Sequence, residues 1–302
     1  MPPVTSLRIA VLGGGAIGSA LAFQLARAGR HHLTLIARPG SARLAQLQRD
    51  QAIVDSAGAR AAVRVTDTLD RQIGYDLVIV TVLAHQVEAL LPALRESAAT
   101  SILFMFNNFE PERLRDAIGA ARCGFGMPFI QAMLDPNGRL TTVIGALGQT
   151  TRLSEHRWVD WFNGAGLPAV YEAHMPLWLR CHAPLCVAFE SVSVAAVRRG
   201  GGASWRQAMA RAHGVRQSFT LIRALGYRIY PSSKARLEGS PAWVLAAMLW
   251  AMSRNTRFRT LLSGGAAECA ALVDAMLAAA PHGSQAVAVA DIAAMKPTPP
   301  ER

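Results

Sequence analysis

Three glycines in the spacing G-x-G-x-x-G, Gly13, Gly15 and Gly18, stand between an apolar run at residues 7–12 and an apolar-periodic stretch at 16–28 that closes on Gly29. In a strand–turn–helix unit that spacing has a chemical use. The first glycine permits the tight turn, the second lets backbone approach a pyrophosphate, and the third lets the helix settle on the sheet. The first helical residues, Ala16, Ile17 and Gly18, then present backbone N–H groups and the positive end of the helix dipole to phosphate oxygens. The pattern points to dinucleotide binding. About 20 residues further on, NAD-binding folds carry an acid for the ribose 2′-hydroxyl. Here the second expected strand, residues 33–37, ends at Arg38, with Ser41 and Arg43 behind it and no acid before Asp50. An arginine at that place suits a 2′-phosphate, so NADP(H) is expected over NAD(H).

The composition frames this chemistry. The chain has 302 residues, 51% hydrophobic and 17% charged, which excludes a disordered chain and leaves room for two domains. No run approaches the roughly 18 uninterrupted apolar residues of a membrane span, and the longest, at 241–252 and 270–280, read as buried helices. The first residues lack the order of an export signal, so a cytoplasmic location without membrane association is expected. Cys123, Cys181, Cys186 and Cys269 form no C-x-x-C pair and read as free thiols. Cys181, His182 and Cys186 lie close together but want a fourth ligand for structural zinc, so no metal is expected. Residues 197–260 hold eleven arginines and Lys234 against Glu238 alone, so this stretch carries the whole net charge of +11. A solvated surface is the simpler reading, and a small anionic substrate is the next. Nucleic acid is not expected, because Arg206, Arg211, Arg216 and Arg223 share no helical face and no aromatic ladder accompanies them.

The order of elements gives the fold class. Near-continuous β-branched runs such as residues 76–82 read as strands buried on both faces, and they alternate with helices. The expected helices of this half include 86–94, 110–120 and 154–163. Residues 51–65 hold two extended pieces around Gly58, and Asp135-Pro136-Asn137-Gly138 marks a hairpin turn within 129–147. From Met175 onward almost everything is helical. Gly200 to Gly202 stop one helix, Ser204 and Gln207 box the next, Gly226 ends it, and Ser240-Pro241 opens another as N-cap and first residue. The expected architecture is α/β, an N-terminal Rossmann-like doubly wound parallel sheet followed by an all-α domain. The expected domains are 1–173 for NADP(H) and 174–302 for substrate and dimerisation, in a monomer or homodimer.

These residues resemble the ketopantoate reductase (2-dehydropantoate 2-reductase) family. R-I-A-V-L-G-G-G-A-I-G at the start and L-I-A-R ending at Arg38 are similar to its cofactor half, as is V-T-V-L-A-H-Q-V at 80–87. The resemblance implies an NADPH-dependent reductase of a small 2-oxo acid. It places Gln86 on the family's glutamine and Leu83 where the family carries a lysine, both beside the cofactor. Asn107 matches an asparagine beside nicotinamide and substrate, with Asn108 in place of a glycine. In the helical half, Arg180 stands where the family has its general-acid lysine, two residues after Trp178, while Pro184 and Ala188 replace two asparagines. Thr256 and Glu268 keep the spacing of the family's substrate-binding serine and glutamate.

The changes have chemical consequences. A ketone reduction needs hydride on carbon and a proton or positive charge on the developing alkoxide. Arg180 can stabilise that oxyanion and clamp a carboxylate, but a guanidinium does not give up a proton near neutral pH. The proton would then come from water, a histidine such as His85, or Cys181, since His182 lies about 200° around the helix from Arg180. Pro184 removes the hydrogen bond to the Arg180 carbonyl and is expected to kink the helix. His182, Cys186, Glu190 and Ser193 share a face, where Glu190 is expected to pair with an arginine from 197–260. Three readings follow. The first is a reductase of this family acting on the carbonyl or imine of an anion other than ketopantoate. The second is a 2-dehydropantoate 2-reductase, and the third a non-catalytic NADPH-binding sensor or interaction protein.

Overall fold

The computed structural model describes residues 6–29, 31–281 and 287–297. In chain order the first half comprises β1 (Arg8–Leu12), α1 (Ala16–Arg27), β2 (His32–Ile36), α2 (Ala42–Asp50), β3 (Ala52–Val54), β4 (Arg60–Ala62), β5 (Arg64–Thr66), β6 (Leu77–Val80), α3 (Leu91–Glu96), β7 (Ile102–Phe104), α4 (Pro111–Ile118), β8 (Cys123–Met127), β9 (Ile130–Leu134), β10 (Leu140–Ile144), β11 (Thr151–Leu153), α5 (His156–Gly164) and β12 (Ala169–Tyr171). The second half comprises α6 (Met175–Arg198), α7 (Trp205–Ala224), α8 (Ser232–Gly239), α9 (Ala242–Met252), α10 (Thr256–Leu262), α11 (Ala266–Ala278) and α12 (Val289–Ala293). The chain divides into two compact units. One spans Met1–Phe106 with Glu112–Met175, and the other spans Asn107–Pro111 with Pro176–Arg302.

The first unit is built on one eight-stranded sheet in the order β5-β2-β1-β6-β7-β8-β11-β12. Its strands run parallel except where β11 meets β8. Ile9, Val11, Leu35, Leu77, Ile79 and Leu103 are buried, as both-faced burial in a parallel sheet demands. From β1 the chain works outward to β2 and β5, then returns to the other side of β1 with β6. Leu12, the last residue of β1, pairs with Ile36 on one side and Val80 on the other. The glycine turn therefore leaves the sheet where strand order reverses, the position at which open α/β sheets bind ligands.

Two antiparallel pairs, β3–β4 and β9–β10, lie outside this sheet. The second turns at Asp135, whose Oδ1 accepts from the backbone N–H groups of Asn137 (2.9 Å) and Arg139 (2.7 Å). The second unit is helical. Ser204 Oγ accepts from Gln207 N and Gln207 Oε1 accepts from Ser204 N, the box that opens α7. Gly214 on α7 gives α12 its close approach, since a Cβ there would overlap the Met295 side chain. Part of the arginine-rich sequence ties down helix ends: Arg216 donates to Ser240 O, Arg254 to Trp250 O, and Arg259 to Ser253 O and Arg254 O. Arg223 instead pairs with Glu238.

Several sequence expectations need correction. The helix over 86–94 is two 3-10 turns followed by the short α3, which begins at Leu91. Pro92 has no N–H to donate to the Glu88 carbonyl, so an α-helix cannot be continued through it without loss. Instead Gln86 N bonds Leu83 O and Leu90 N bonds Val87 O. Ser240 does not cap α9, because its Oγ donates to Leu237 O at the end of α8, and Pro241 takes the N-cap place. The helix α2 was missed although Ser41 signals it, its Oγ accepting from Leu44 N (3.1 Å). α6 continues as helix through Pro184 to Arg198. Residues Thr256–Ala278 form one stretch of 23 residues, containing an 18-residue window of mean hydropathy 1.4, with the length and composition of a membrane span. A 3-10 turn at Ser263–Gly265 divides it, and Cys269, Leu272, Val273 and Met276 of α11 are buried within the chain.

The segment that leads into β7 is held by one side chain. Arg122 donates from Nη1 to Ser97 O (2.8 Å) and Ala99 O (3.3 Å), and from Nη2 to Arg95 O (2.9 Å) and Leu94 O (3.3 Å). Arg122→Ala strips four carbonyls of a charged donor and should lower unfolding free energy by about 1–3 kcal/mol. Urea denaturation reads this, and an unchanged midpoint would contradict the bracing role.

Candidate functional site

The glycine turn is a tightly specified piece of backbone. Gly13 has φ +125°, and a Cβ there would lie 2.6 Å from Thr81 Oγ1. At Gly18 a Cβ would overlap the Gly13 carbonyl oxygen itself. Gly15 is the contrast: nothing lies within 4 Å of where its Cβ would stand. The first and third glycines are therefore required by contact, while the second leaves an open approach beside the start of α1. Gly15 is the N-cap of α1 and supplies no side-chain cap, so the leading N–H groups at Ala16, Ile17 and Gly18 stay available to an outside acceptor. This arrangement fits a dinucleotide pyrophosphate.

Two residues brace the turn that the sequence reading did not assign. Thr81, just past β6, directs its hydroxyl at the Leu12 and Gly13 carbonyls (3.3 and 3.2 Å). Arg43 on α2 donates from Nε to Gly14 O (3.1 Å), from Nη2 to Ser19 Oγ (2.7 Å) and from Nη1 to Gly138 O (2.9 Å), and also meets Gln46 Oε1. Burial lowers its pKa from the usual arginine range, partly offset by Asp50. Arg43 thus belongs to the scaffold, tying the turn, α1 and the β9–β10 hairpin together. Arg38 behaves differently. Its carbonyl accepts from Ser41 Oγ (2.7 Å), while its side chain is exposed at the end of β2 and makes no ion pair among the described residues.

The helical unit gathers a second group. Arg180 is buried in α6, 5% exposed, with its guanidinium carbon 3.9 Å from the Tyr227 ring centroid and 5.9 Å from that of Phe109. The aromatic faces fix the orientation of a planar cation. Asn107 and Asn108 are buried, 8% and 7% exposed. Asn107 Nδ2 donates to Glu268 Oε1 (3.2 Å), which brings together residues 161 positions apart in sequence. Asn107 Oδ1 and Asn108 Nδ2 are buried without a hydrogen-bond partner, while Asn108 Oδ1 accepts from Glu110 N (2.9 Å). Buried amide atoms left in that state are costly unless a ligand or water completes them.

Glu190 does not pair with an arginine. Its Oε2 accepts from the Cys269 thiol (3.1 Å), and burial together with the charge of Glu268 pushes its carboxyl up to about 8. Glu268 is also raised, chiefly by burial, with the Asn107 hydrogen bond opposing. Among the described residues the place of the expected arginine is taken by Gly265, the N-cap of α11, and by Cys269 within that helix. Lys234, unsingled in the sequence reading, is buried too. Its Nζ donates to Trp178 O (3.1 Å) and lies 4.0 Å from the Trp178 ring centroid. Its helix, S-S-K-A-R-L-E-G, is polar and gives no signal in sequence that the lysine is buried. His182 stacks on Trp178, ring centroids 4.3 Å apart.

The remaining candidates stand apart. Thr256 is exposed at the start of α10, its hydroxyl accepting from Arg259 (3.3 Å), and makes no hydrogen bond to Arg180, Asn107 or Glu268 among the described residues. Gln86 closes its own turn by accepting from Leu83 N (3.3 Å), and Leu83 is 37% exposed. The four cysteines are free, and the described residues contain no group of three potential metal ligands. A cavity of about 720 Å³ is lined by Arg8, His32, Arg64 and Tyr75 among others, at the strand ends remote from the glycine turn, and holds none of the candidate residues.

Residues 9–155 match the family model described as ketopantoate reductase PanE/ApbA. The similarity to this family thus covers just under half of the chain. The fold of the whole chain agrees with family structures. A PanE/ApbA family ketopantoate reductase from Ralstonia eutropha JMP134 is 16% identical, with a TM-score of 0.69 over 96% of each chain. A probable 2-dehydropantoate 2-reductase from Bacillus subtilis is 16% identical, TM-score 0.65, over 96% of this chain and 98% of that one. A D-mandelate dehydrogenase solved with NADH and anilino(oxo)acetate is 16% identical, TM-score 0.67, over 96% of each. No curated protein sequence is significantly similar to the chain.

The two arginines near the glycine turn make a clean contrast. Arg43→Ala removes a charged donor from three carbonyl or hydroxyl partners and should cost about 1.5–3 kcal/mol of stability, whereas exposed Arg38→Ala should stay within about 0.5 kcal/mol. Denaturant unfolding of both variants checks this, and equal effects would contradict the division of roles.

Proposed function

We propose that the chain is an NADPH-dependent reductase that acts on the carbonyl or imine carbon of a small anionic substrate other than ketopantoate. The reading takes residues 1–173 as the nucleotide domain and 174–302 as the substrate and dimerisation domain of a cytoplasmic monomer or homodimer. The observation that carries it is the glycine turn, with Gly18 pressed against the Gly13 carbonyl and the approach at Gly15 open. When bound, the reduced nicotinamide supplies hydride. The chain supplies the rest. Ala16, Ile17 and Gly18 offer N–H groups to the phosphates, with Leu83 and Gln86 beside the nucleotide. Arg38, exposed and without an ion pair, is the group for a 2′-phosphate.

On the substrate side, Arg180 holds a fixed positive charge against Tyr227, suited to a carboxylate and to an oxygen that becomes negative. Asn107 and Glu268 supply a donor and a carboxyl to the polar groups of the substrate, with Thr256 as a further contact. Leu83, Pro184 and Ala188, where the family has lysine and asparagines, are the reason to look past ketopantoate. The family match over 9–155 favours 2-dehydropantoate reduction as the second reading.

Fluorescence titration should show NADPH bound more tightly than NADH, with Arg38→Ala weakening NADPH about tenfold or more and NADH little. Arg180→Ala should leave NADPH binding intact and lower kcat on any accepted 2-oxo acid about 100-fold. Equal affinities unaffected by Arg38→Ala would assign the site to NAD(H), and absence of nucleotide binding would overturn the reading.

A further inference from the structure

We propose that the cavity at the leading ends of β1, β2 and β5 is a second binding site, built for a small organic phosphate. The inference uses the first unit alone and does not depend on the reductase reading.

Arg8, His32 and Arg64 are the first residues of their strands. The three strands are adjacent and parallel, so these residues stand at one end of the sheet. The glycine turn leaves β1 at the other end. The register puts Arg8 beside His32 and Thr34 beside Arg64. Side chains in register, and those two apart on one strand, share a face. Arg8, His32, Thr34 and Arg64 therefore project from the same face, while Ile9, Leu33 and Leu35 go to the core on the opposite side. Strand spacing and rise place the two arginine backbones roughly 12 Å apart, a gap that their side chains can close on one anion from two sides.

The cavity over these residues, about 720 Å³, also takes in Tyr75 and Ile73, and no carboxylate lines it. Asp76, next to Tyr75, has its Oδ2 on the Arg8 backbone N–H (2.7 Å). The side chains of Arg8, His32 and Arg64 make no ion pair and no hydrogen bond among the described residues. His31 on the cavity wall is already engaged, its ring nitrogens meeting Leu7 N (3.1 Å) and Trp161 Nε1 (2.6 Å). Thr34 and Tyr75 are 7% and 3% exposed, and their hydroxyls also lack a hydrogen-bond partner among the described residues. The side-chain atoms that are sealed from solvent without a partner lie at Asn107, Asn108, Trp158 and Arg180. The two hydroxyls are not among them, so they open on the cavity they line. Polar groups this deeply placed are normally satisfied, and a bound acceptor would satisfy both.

The ligand class follows from these groups. Two guanidiniums, charged at any physiological pH, match a dianion, and a phosphate monoester carries nearly two charges and three acceptor oxygens. The Thr34 and Tyr75 hydroxyls and the His32 ring add donors. The volume is that of sites for whole organic molecules rather than for one bare ion. Ile73 and the Tyr75 ring offer apolar contact to the carbon part.

Calorimetric titration of the full-length protein with phenyl phosphate, glycerol 3-phosphate, inorganic phosphate and phenol tests the assignment. At least one ester should bind once per chain and more tightly than inorganic phosphate, and phenol should not bind. Arg8→Gln and Arg64→Gln should each weaken that ester about tenfold or more, and Thr34→Val and Tyr75→Phe about two- to tenfold. Urea unfolding should find both arginine variants as stable as the wild type, because neither side chain has a protein partner to lose. Absence of ester binding, affinity unchanged in both arginine variants, or inorganic phosphate or phenol bound as tightly as the esters would overturn the proposal. Ester binding that is lost in Arg38→Ala but kept in the Arg8 and Arg64 variants would place the ester at the glycine turn, which overturns this site and leaves the reductase reading standing.

Discussion

Gly18 stands so near the Gly13 carbonyl oxygen that no side chain can be placed there, and Thr81 closes the same space from β6. That contact sets the angle at which α1 leaves the sheet. In the same turn Gly13 has φ +125°, which glycine tolerates. Arg43 locks the arrangement from behind by binding Gly14, Ser19 and the β9–β10 hairpin. Arg43 is thereby committed to the scaffold, while Arg38 stays exposed at the end of β2.

The helical unit answers a different constraint, the burial of charge. Arg180 is held by aromatic faces, Lys234 by a backbone carbonyl and an indole, and Glu190 by a thiol and a neighbouring carboxyl.

Much of the sheet unit was legible from residue order. The β-branched runs, the Asp135–Gly138 turn and the G-x-G-x-x-G context each express a local rule, and each appears where that rule puts it. The misses have equally local causes. Pro92 broke a helix that hydrophobic spacing alone would extend, and Ser240 was claimed by the end of α8 before α9 could use it. The site was less legible because its contacts are distant in sequence. Nothing near Asn107 announces Glu268, and Arg43 reads as a companion of Arg38 until its four acceptors are seen. Glu190 carried a correct signal, an acid in an apolar helix, but its partner depended on which helix packs against that face. Gly265, the residue that makes the packing possible, is unremarkable in sequence.

The central claim is that this chain moves hydride from a reduced nicotinamide to the carbon of a small anionic acceptor. The most direct test incubates purified protein with NADPH deuterated at the transferable position of C4 and with a panel of 2-oxo acids, followed by mass spectrometry of the products. The expected result is one 2-hydroxy acid carrying a single deuterium at C2, formed with loss of the label from the nucleotide. Unlabelled nucleotide chemistry, or no 2-hydroxy product from any acid while NADPH remains bound, would contradict it.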